Sequence, residues 1–316
     1  MPTTIKCVVI PDNPEKPGET LNPTTGCIPR FPGCKLCYAQ HIAASLVNRF
    51  GSEKYKEVVD IETKHWNGEV RFFPEVLQQP RRRKNPCSYF LGDMSDIWYE
   101  KVEDAWLEQI FQMVYECDRH IFLTLTKYPE RMLKWLKKTG LFNSPKKHIW
   151  WGTSVENQQW ADIRMPIISQ LTEAGHNTFI SVQPQLSKIN FNLAKTPILW
   201  AVFGGESKPF GAIEEARPCH IRWIEDGLEQ CENAGFKVAR FVEQLGTFCV
   251  TDTGDAEFCT QLTESELSRV RGIEPPALYR YQIKGNHKGG GSLEDLPKHL
   301  QFREIPYVIS KYSASN

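Results

Sequence analysis

Between Lys84 and Glu243 the chain repeats one beat: a short apolar or β-branched run, a polar end, then an amphipathic stretch. The runs are Ser88-Tyr-Phe-Leu91, Ile121-Phe-Leu-Thr-Leu125, Ile149-Trp-Trp-Gly-Thr153, Thr178-Phe-Ile-Ser-Val182, Ile198-Leu-Trp-Ala-Val-Phe203 and Val238-Ala-Arg-Phe-Val242. They are short, rich in aromatics and bounded by turn or charged residues, as buried strands are. The stretches between them carry helical spacing. Val102, Trp106, Ile110, Met113, Val114 and Cys117 fall three or four apart, as do Ile221, Ile224, Leu228 and Cys231. Pro129 to Lys138 and Ala161 to Ala174, the latter with an internal Pro166, read as two further helices. Strand and helix alternating at roughly thirty-residue intervals require parallel strands joined by helical crossovers. No residue pattern repeats with the beat, which excludes a solenoid. No GxGxxG opens a helix after any strand, so a (β/α) barrel, complete or partial, fits better than a dinucleotide-binding sheet.

The ends are less regular. Residues 1–26 are turn-rich, with Pro11, Pro14, Pro17 and Pro23, and residues 247–300 hold few periodic segments and include Gly289-Gly-Gly291. The expected organisation is therefore a barrel over 1–246 and a loop-rich C-terminal extension over 247–316. A length of 316 residues suits one large domain or two ordinary ones. At 41% hydrophobic and 24% charged, the composition excludes a disordered or collagen-like chain. No apolar run reaches the roughly 18 residues of a membrane span, and Met1-Pro-Thr-Thr-Ile-Lys6 lacks a signal-peptide pattern. The expectation is a soluble cytoplasmic protein with no membrane partner. With 38 basic and 38 acidic residues the net charge is zero, so any affinity for nucleic acid must come from a local patch.

Ten cysteines are too few for a disulfide scaffold, but three of them crowd into Gly26-Cys-Ile-Pro-Arg-Phe-Pro-Gly-Cys-Lys-Leu-Cys-Tyr-Ala39. The spacing is C-x6-C-x2-C, and Gly26, Pro29, Pro32 and Gly33 let the loop fold back so that Cys27, Cys34 and Cys37 converge. Ile42, Leu46 and Phe50 then form an i, i+4, i+8 stripe, so the loop feeds a helix. Three readings fit the spacing. Three thiolates hold a [4Fe–4S] cluster whose fourth iron is open; or they hold structural zinc, with His41 or Cys7 as fourth ligand; or the thiols are unliganded.

Polar residues follow every strand: Gly92-Asp-Met-Ser-Asp96, Thr126-Lys127, Ser154-Val-Glu-Asn157, Gln183-Pro184, Gly204-Gly-Glu-Ser207 and Glu243-Gln244. In barrel enzymes the C-terminal strand ends form the active-site mouth, which makes Asp93, Asp96, Lys127 and Glu206 the candidate catalytic residues. Gly204 and Gly205 would let the backbone approach a ligand while Glu206 holds an ammonium or hydroxyl group. Asp93 and Asp96 would be a working acidic pair or caps of the next helix, and Lys127 would meet a carboxylate or phosphate or lie on the surface.

Thr20-Leu-Asn-Pro-Thr-Thr-Gly-Cys27, Pro32-Gly-Cys-Lys-Leu-Cys-Tyr-Ala39, Met94-Ser-Asp96, Leu125-Thr-Lys-Tyr-Pro-Glu-Arg131, Gly152-Thr-Ser-Val-Glu156, Ser181-Val-Gln-Pro184 and Phe203-Gly-Gly-Glu-Ser207 occur in that order. As an ordered set they resemble a phage- and prophage-associated family of uncharacterised, radical-SAM-like proteins. The resemblance runs from about residue 20 to about 246, and Lys284-Gly-Asn-His-Lys-Gly-Gly290 with Arg303-Glu-Ile-Pro306 resembles that family's tail. It implies a partial (β/α)6 radical-SAM-type barrel. Cys27, Cys34 and Cys37 would ligate a [4Fe–4S] cluster, and S-adenosylmethionine would chelate the fourth iron and be cleaved to a 5′-deoxyadenosyl radical. Gly92, Asp93, Met94, Ser154, Glu156 and Gln183 would contact the cofactor, with Gly204, Gly205 and Glu206 shared between cofactor and substrate. An electron donor such as flavodoxin or ferredoxin is implied too. Two features depart from the commonest radical-SAM pattern: the first cysteine gap is six residues instead of three, and the GGE motif lies late in the chain.

The phage association points by analogy to modification or repair of a nucleic acid or nucleotide, with a peptide or protein substrate as the alternative. Pro80-Arg-Arg-Arg-Lys84 is a basic run that reads as a solvated loop or a phosphate contact, and Trp98 is the tryptophan placed to stack on a base. Two rival readings are a zinc-stabilised nucleic-acid-binding protein without catalysis and a degenerate barrel with a structural cluster.

Overall fold

The computed structural model describes residues 2–209, 215–254, 258–283 and 291–307. The tail motif at 284–290, and Gly289 and Gly290 with it, lie outside the described residues. Seven strands form one parallel sheet: β1 (Glu19–Leu21), β2 (Ser88–Leu91), β3 (Ile121–Thr126), β4 (Ile149–Ser154), β5 (Asn177–Val182), β6 (Trp200–Gly204) and β7 (Ala239–Gln244). They stand in chain order, each paired in parallel with the next. Crossovers of one hand always add the new strand on the same side, so the sheet curls into a half-barrel. The crossovers carry α1 (Tyr38–Phe50), α2 (Asp104–Glu116), α3 (Pro129–Thr139), α4 (Gln158–Glu173) and α5 (Ile221–Glu232), while residues 183–199 between β5 and β6 carry no helix.

The strands are buried on both faces because alternate side chains feed two different cores. Phe122, Trp151, Ile180, Ala201 and Phe203 pack outward against the helices. Phe90, Leu123, Trp150, Phe179, Trp200 and Phe241 fill the concave face, together with Cys7 and Val8 from the N-terminal segment and the flanking Ile305 and Tyr307. The chain ends also cover the sheet edges. Pro2 bridges Glu19 of β1, and Arg303 bridges Phe241 of β7. The Tyr307 hydroxyl joins the two by donating to the Cys7 carbonyl at 2.5 Å and accepting the Val9 N–H at 3.2 Å. The half-barrel is thus closed by its own terminal segments, and neither edge strand is left unpaired.

Several expectations are corrected. The turn-rich start contains β1, which three residues are too short to betray by periodicity. The C-terminal segment is more ordered than loop-rich: Cys249–Thr251, Tyr279–Tyr281 and Cys259–Gln261 make a small sheet with Cys219–His220, and Thr263 caps a short helix over Glu264–Arg269. The helix after the cysteine loop exists, but its apolar stripe faces outward, with Ile42 45% and Phe50 76% exposed. Its buried face is Ala39, Ala43, Ala44 and Val47, small enough to lie close on Val58, Trp66 and Met94. Trp98 is fully buried against Phe111 and Trp135, its indole N–H on Thr124 at 3.0 Å, so it offers no stacking surface. In the basic run, Arg81 pairs with Glu116 at 2.7 Å and Arg83 with Glu19 at 2.6 Å, so two of its four charges are already engaged within the chain. Among the described residues no helix is long and apolar enough to cross a membrane.

Three histidines precede three consecutive strands. His120, His148 and His176 each place Nε2 on a backbone carbonyl, of Pro80, Val114 and Phe142, at 2.9, 3.0 and 2.9 Å. His120 also accepts the Cys87 N–H at Nδ1, which fixes the neutral tautomer. Burial holds all three below their ordinary pKa of 6.5. Folded they stay neutral, whereas the unfolded chain takes up protons below pH 6.5, so the unfolded state binds more protons there and folding stability falls on acidification. Urea unfolding at pH 7.5, 6.5 and 5.5 is expected to show a midpoint that drops mainly between the last two. A flat midpoint would mean that these imidazoles protonate equally well in the folded chain.

Candidate active site

The loop between β1 and α1 folds by local turns. Pro32–Cys34 form one turn of 3-10 helix, the Cys37 N–H bonds the Cys34 carbonyl at 3.2 Å, and Cys37 is the N-cap of α1. Cys27, Cys34 and Cys37 are free, half-buried thiols that line one cavity. Opposite them stand Gly92, Asp93, Ser95 and Asp96 after β2, Thr126 at the end of β3 with Lys127 and Tyr128 after it, and Ser154 at the end of β4. Burial, then the charges of Asp96, Cys34 and Cys37, push the Cys27 thiol up, and burial followed by the Cys34 charge does the same to Cys37. Without a metal to displace the proton, both remain thiols at neutral pH.

Among the described residues no three His, Cys, Asp or Glu side chains stand grouped for a metal ion. The three thiols nevertheless make a donor set of the right chemistry for a thiolate-held cluster. The fourth ligands considered for zinc lie elsewhere. His41 lines a separate cavity with Ala44, Ser45 and Asn48, and Cys7 belongs to the concave core.

The strand-end residues divide into two groups. Those after β2 and β3, with Ser154, face the cavity. Asp93 accepts from the Asn22 amide at 2.5 Å, and burial raises its carboxyl pKa. Asp96, also raised by burial, accepts the Trp98 N–H at 3.0 Å, the Lys127 N–H at 2.9 Å and the Thr126 hydroxyl at 2.8 Å. It ties β2 to β3 and sets the direction of Lys127. Burial acts to lower the Lys127 pKa, but the charges of Cys34, Glu156 and Cys37 outweigh it and raise the value. The ammonium lies 3.4 Å from Ser154 Oγ and 3.9 Å from Glu156 Oε1. Met94 turns away, its side chain against α1 and its N–H on Asn22 Oδ1 at 3.1 Å.

The second group is turned toward the cysteine loop and not into the cavity. Glu156 is fully buried and pairs at 2.8 Å with Arg164, itself fully buried. Arg164 also donates to the Ser154 carbonyl at 2.8 Å, and its guanidinium lies over the rings of Trp160 and Phe31, 4.2 and 4.6 Å from their centroids. Phe31 belongs to the cysteine loop, and so does Gly33. A Cβ there would stand 2.8 Å from Glu156 Oε1, so only glycine lets the loop lie this close. Glu206 is buried and chelated by Arg217, whose N–H and Nε both reach Oε2 at 2.9 Å while its other branch holds Oε1. The glycines before it approach protein and not ligand: a Cβ on Gly205 would lie 2.1 Å from the Leu245 carbonyl oxygen, and Gly204 abuts Gln244 and Gln183. Gln183 donates to the Phe203 carbonyl at 3.3 Å.

Arg164, Arg217, Phe31 and Tyr128 are absent from the sequence-based set. Arg164 carried a usable signal, since it interrupts the buried helical face of Ala161, Met165 and Ile168. Arg217, eleven residues past Glu206 in an irregular segment, carried none.

The fold is a curled parallel α/β sheet, and its three loop thiols share one cavity with the ends of the second, third and fourth strands. The chain belongs to the family described as Protein of unknown function (DUF5131), whose profile matches residues 15–296. No curated protein matches it. Among solved structures it is similar to spore photoproduct lyase: a cysteine-to-serine mutant at 13% identity and TM-score 0.39, covering 83% of this chain and 68% of that chain. A tyrosine-to-phenylalanine mutant gives 13% and 0.38 over 82% and 67%. A double mutant with bound AdoMet and dinucleoside spore photoproduct gives 14% and 0.33 over 60% and 56%.

Glu156→Gln leaves Arg164 buried without its counter-charge, a loss expected to cost about 3–5 kcal/mol. Denaturant unfolding of the metal-free protein measures it. A change below about 1 kcal/mol would show that the pair is not a structural anchor.

Proposed function

We propose that this chain is a radical S-adenosylmethionine enzyme whose cluster is held by Cys27, Cys34 and Cys37. The observation that carries the reading is the cavity those thiols share with Gly92, Asp93, Lys127 and Ser154 at the strand ends. Such a cluster, once bound and reduced, would supply the electron for cleavage of the sulfonium of S-adenosylmethionine. The protein's own part is placement. Lys127, kept charged beside Ser154, suits the cofactor's carboxylate, and the Asp93 carboxyl suits its amine or ribose hydroxyls. Asp96 acts as a positioning residue, because its acceptors are already engaged by Trp98, Thr126 and Lys127. Ile28, Phe31, Phe90, Leu125 and Tyr128 give the cavity an apolar wall that keeps water from a reactive species. The reductant in this reading is a donor of the flavodoxin or ferredoxin class. A nucleic acid or nucleotide stays our substrate proposal, resting on the family resemblance and not on the basic run.

Anaerobic reconstitution with iron and sulfide is expected to load roughly four irons per chain, and Cys34→Ser to lose them. Reduction with S-adenosylmethionine present should release 5′-deoxyadenosine. Lys127→Met should keep the iron yet weaken S-adenosylmethionine binding about tenfold. A colourless protein with one zinc per chain and no cleavage would overturn the assignment.

A further inference from the structure

Glu206 is the acidic member of the motif that looks most like a ligand site, yet its carboxylate is spent on Arg217. That guanidinium goes further: it donates at 2.8 Å to the carbonyl of Pro32, 185 residues away and two positions before Cys34. Beside it, Ala216 and Leu36 form a small buried apolar contact, with Leu36 lying between Cys34 and Cys37. The segment that presents Ala216 and Arg217 is itself braced. Arg269 of the C-terminal helix donates to the Ala216 carbonyl while lying over Phe248, 4.2 Å from its centroid. The Glu206 carbonyl accepts the Thr247 N–H at 2.8 Å. The second half of the three-cysteine loop is therefore gripped from the β6 end of the sheet and from the C-terminal segment.

We propose that Glu206 and Arg217, braced through Ala216 by Arg269, form a clamp that holds in place the Pro32–Cys37 turn, which carries two of the three thiols. This makes Arg217 a positioning residue of the three-thiol site and gives the C-terminal segment a function in it. The proposal rests on the reading of Cys27, Cys34 and Cys37 as cluster ligands only for its consequence, since the clamp itself is made in the metal-free chain. A fork of donors fixes both the carboxylate and the loop carbonyl, which a lysine can do only in part.

The test uses the full metal-free chain and measures alkylation of individual cysteines by N-ethylmaleimide with mass-spectrometric readout. Cys34 and Cys37 should react about tenfold faster in Arg217→Gln and Glu206→Gln, with Arg217→Lys intermediate, as loss of a charge-assisted hydrogen bond to a loop predicts. Arg269→Gln should accelerate them too, by a smaller factor. The buried Cys231, within α5, is the internal control and should keep its wild-type rate. Equal acceleration of Cys231 would mean general destabilisation and would overturn the clamp, as would unchanged rates at Cys34 and Cys37. After reconstitution, Arg217→Gln should lose iron to a chelator several-fold faster than the wild type. If the wild type takes up no iron while the alkylation pattern holds, the clamp stands and the cluster assignment fails.

Discussion

The ion pair between Glu156 and Arg164 is the constraint on which the rest of the site depends. Both side chains are fully buried, so each charge is tolerable only while the other is present. The pair sits where β4 hands over to α4, and the cysteine loop is built on top of it. Phe31 covers the guanidinium, and Gly33 brings the loop backbone within contact of the carboxylate. A loop of turns and prolines has little internal reason to hold one shape. Here its shape is taken from an electrostatic anchor that cannot move without exposing an unpaired charge.

A second division of labour runs through the strand ends. The turns after β2 and β3 aim side chains into the cavity, whereas the carboxylates after β4 and β6 are each consumed by an arginine. Polar residues at a barrel mouth thus serve two purposes that look alike in sequence: contact with a bound molecule, and retention of the loop that would carry the metal. The sheet permits this because parallel strands in chain order bring all these ends to one rim.

Much of this could be read from residues alone. Six strands and five helices follow from period and punctuation, because a strand buried on both faces and a helix with one apolar stripe leave different spacings. The three-cysteine loop and its role as prelude to a helix were equally plain. The first strand was hidden, since three residues cannot display a period. The orientation of α1 was misleading: Ile42 and Phe50 are the larger apolar residues, but the alanine face fits closer to Trp66 and Met94. Trp98, read from its place after the Met94-Ser-Asp96 turn as a stacking surface, is core instead, because α2 and α3 close over it with Phe111 and Trp135.

The alternation of strand and helix, the crowding of three cysteines into one loop and the polar residues at the strand ends are all legible along the chain, since each is a matter of local spacing. Tertiary structure alone decided which polar groups face the cavity and which hold the loop. Arg217 meets Glu206 eleven residues away and Pro32 across 185, and the two terminal segments meet through Tyr307 and Cys7. Contacts of that range leave no periodic trace, because they are fixed by the curl of the sheet and not by neighbours along the chain.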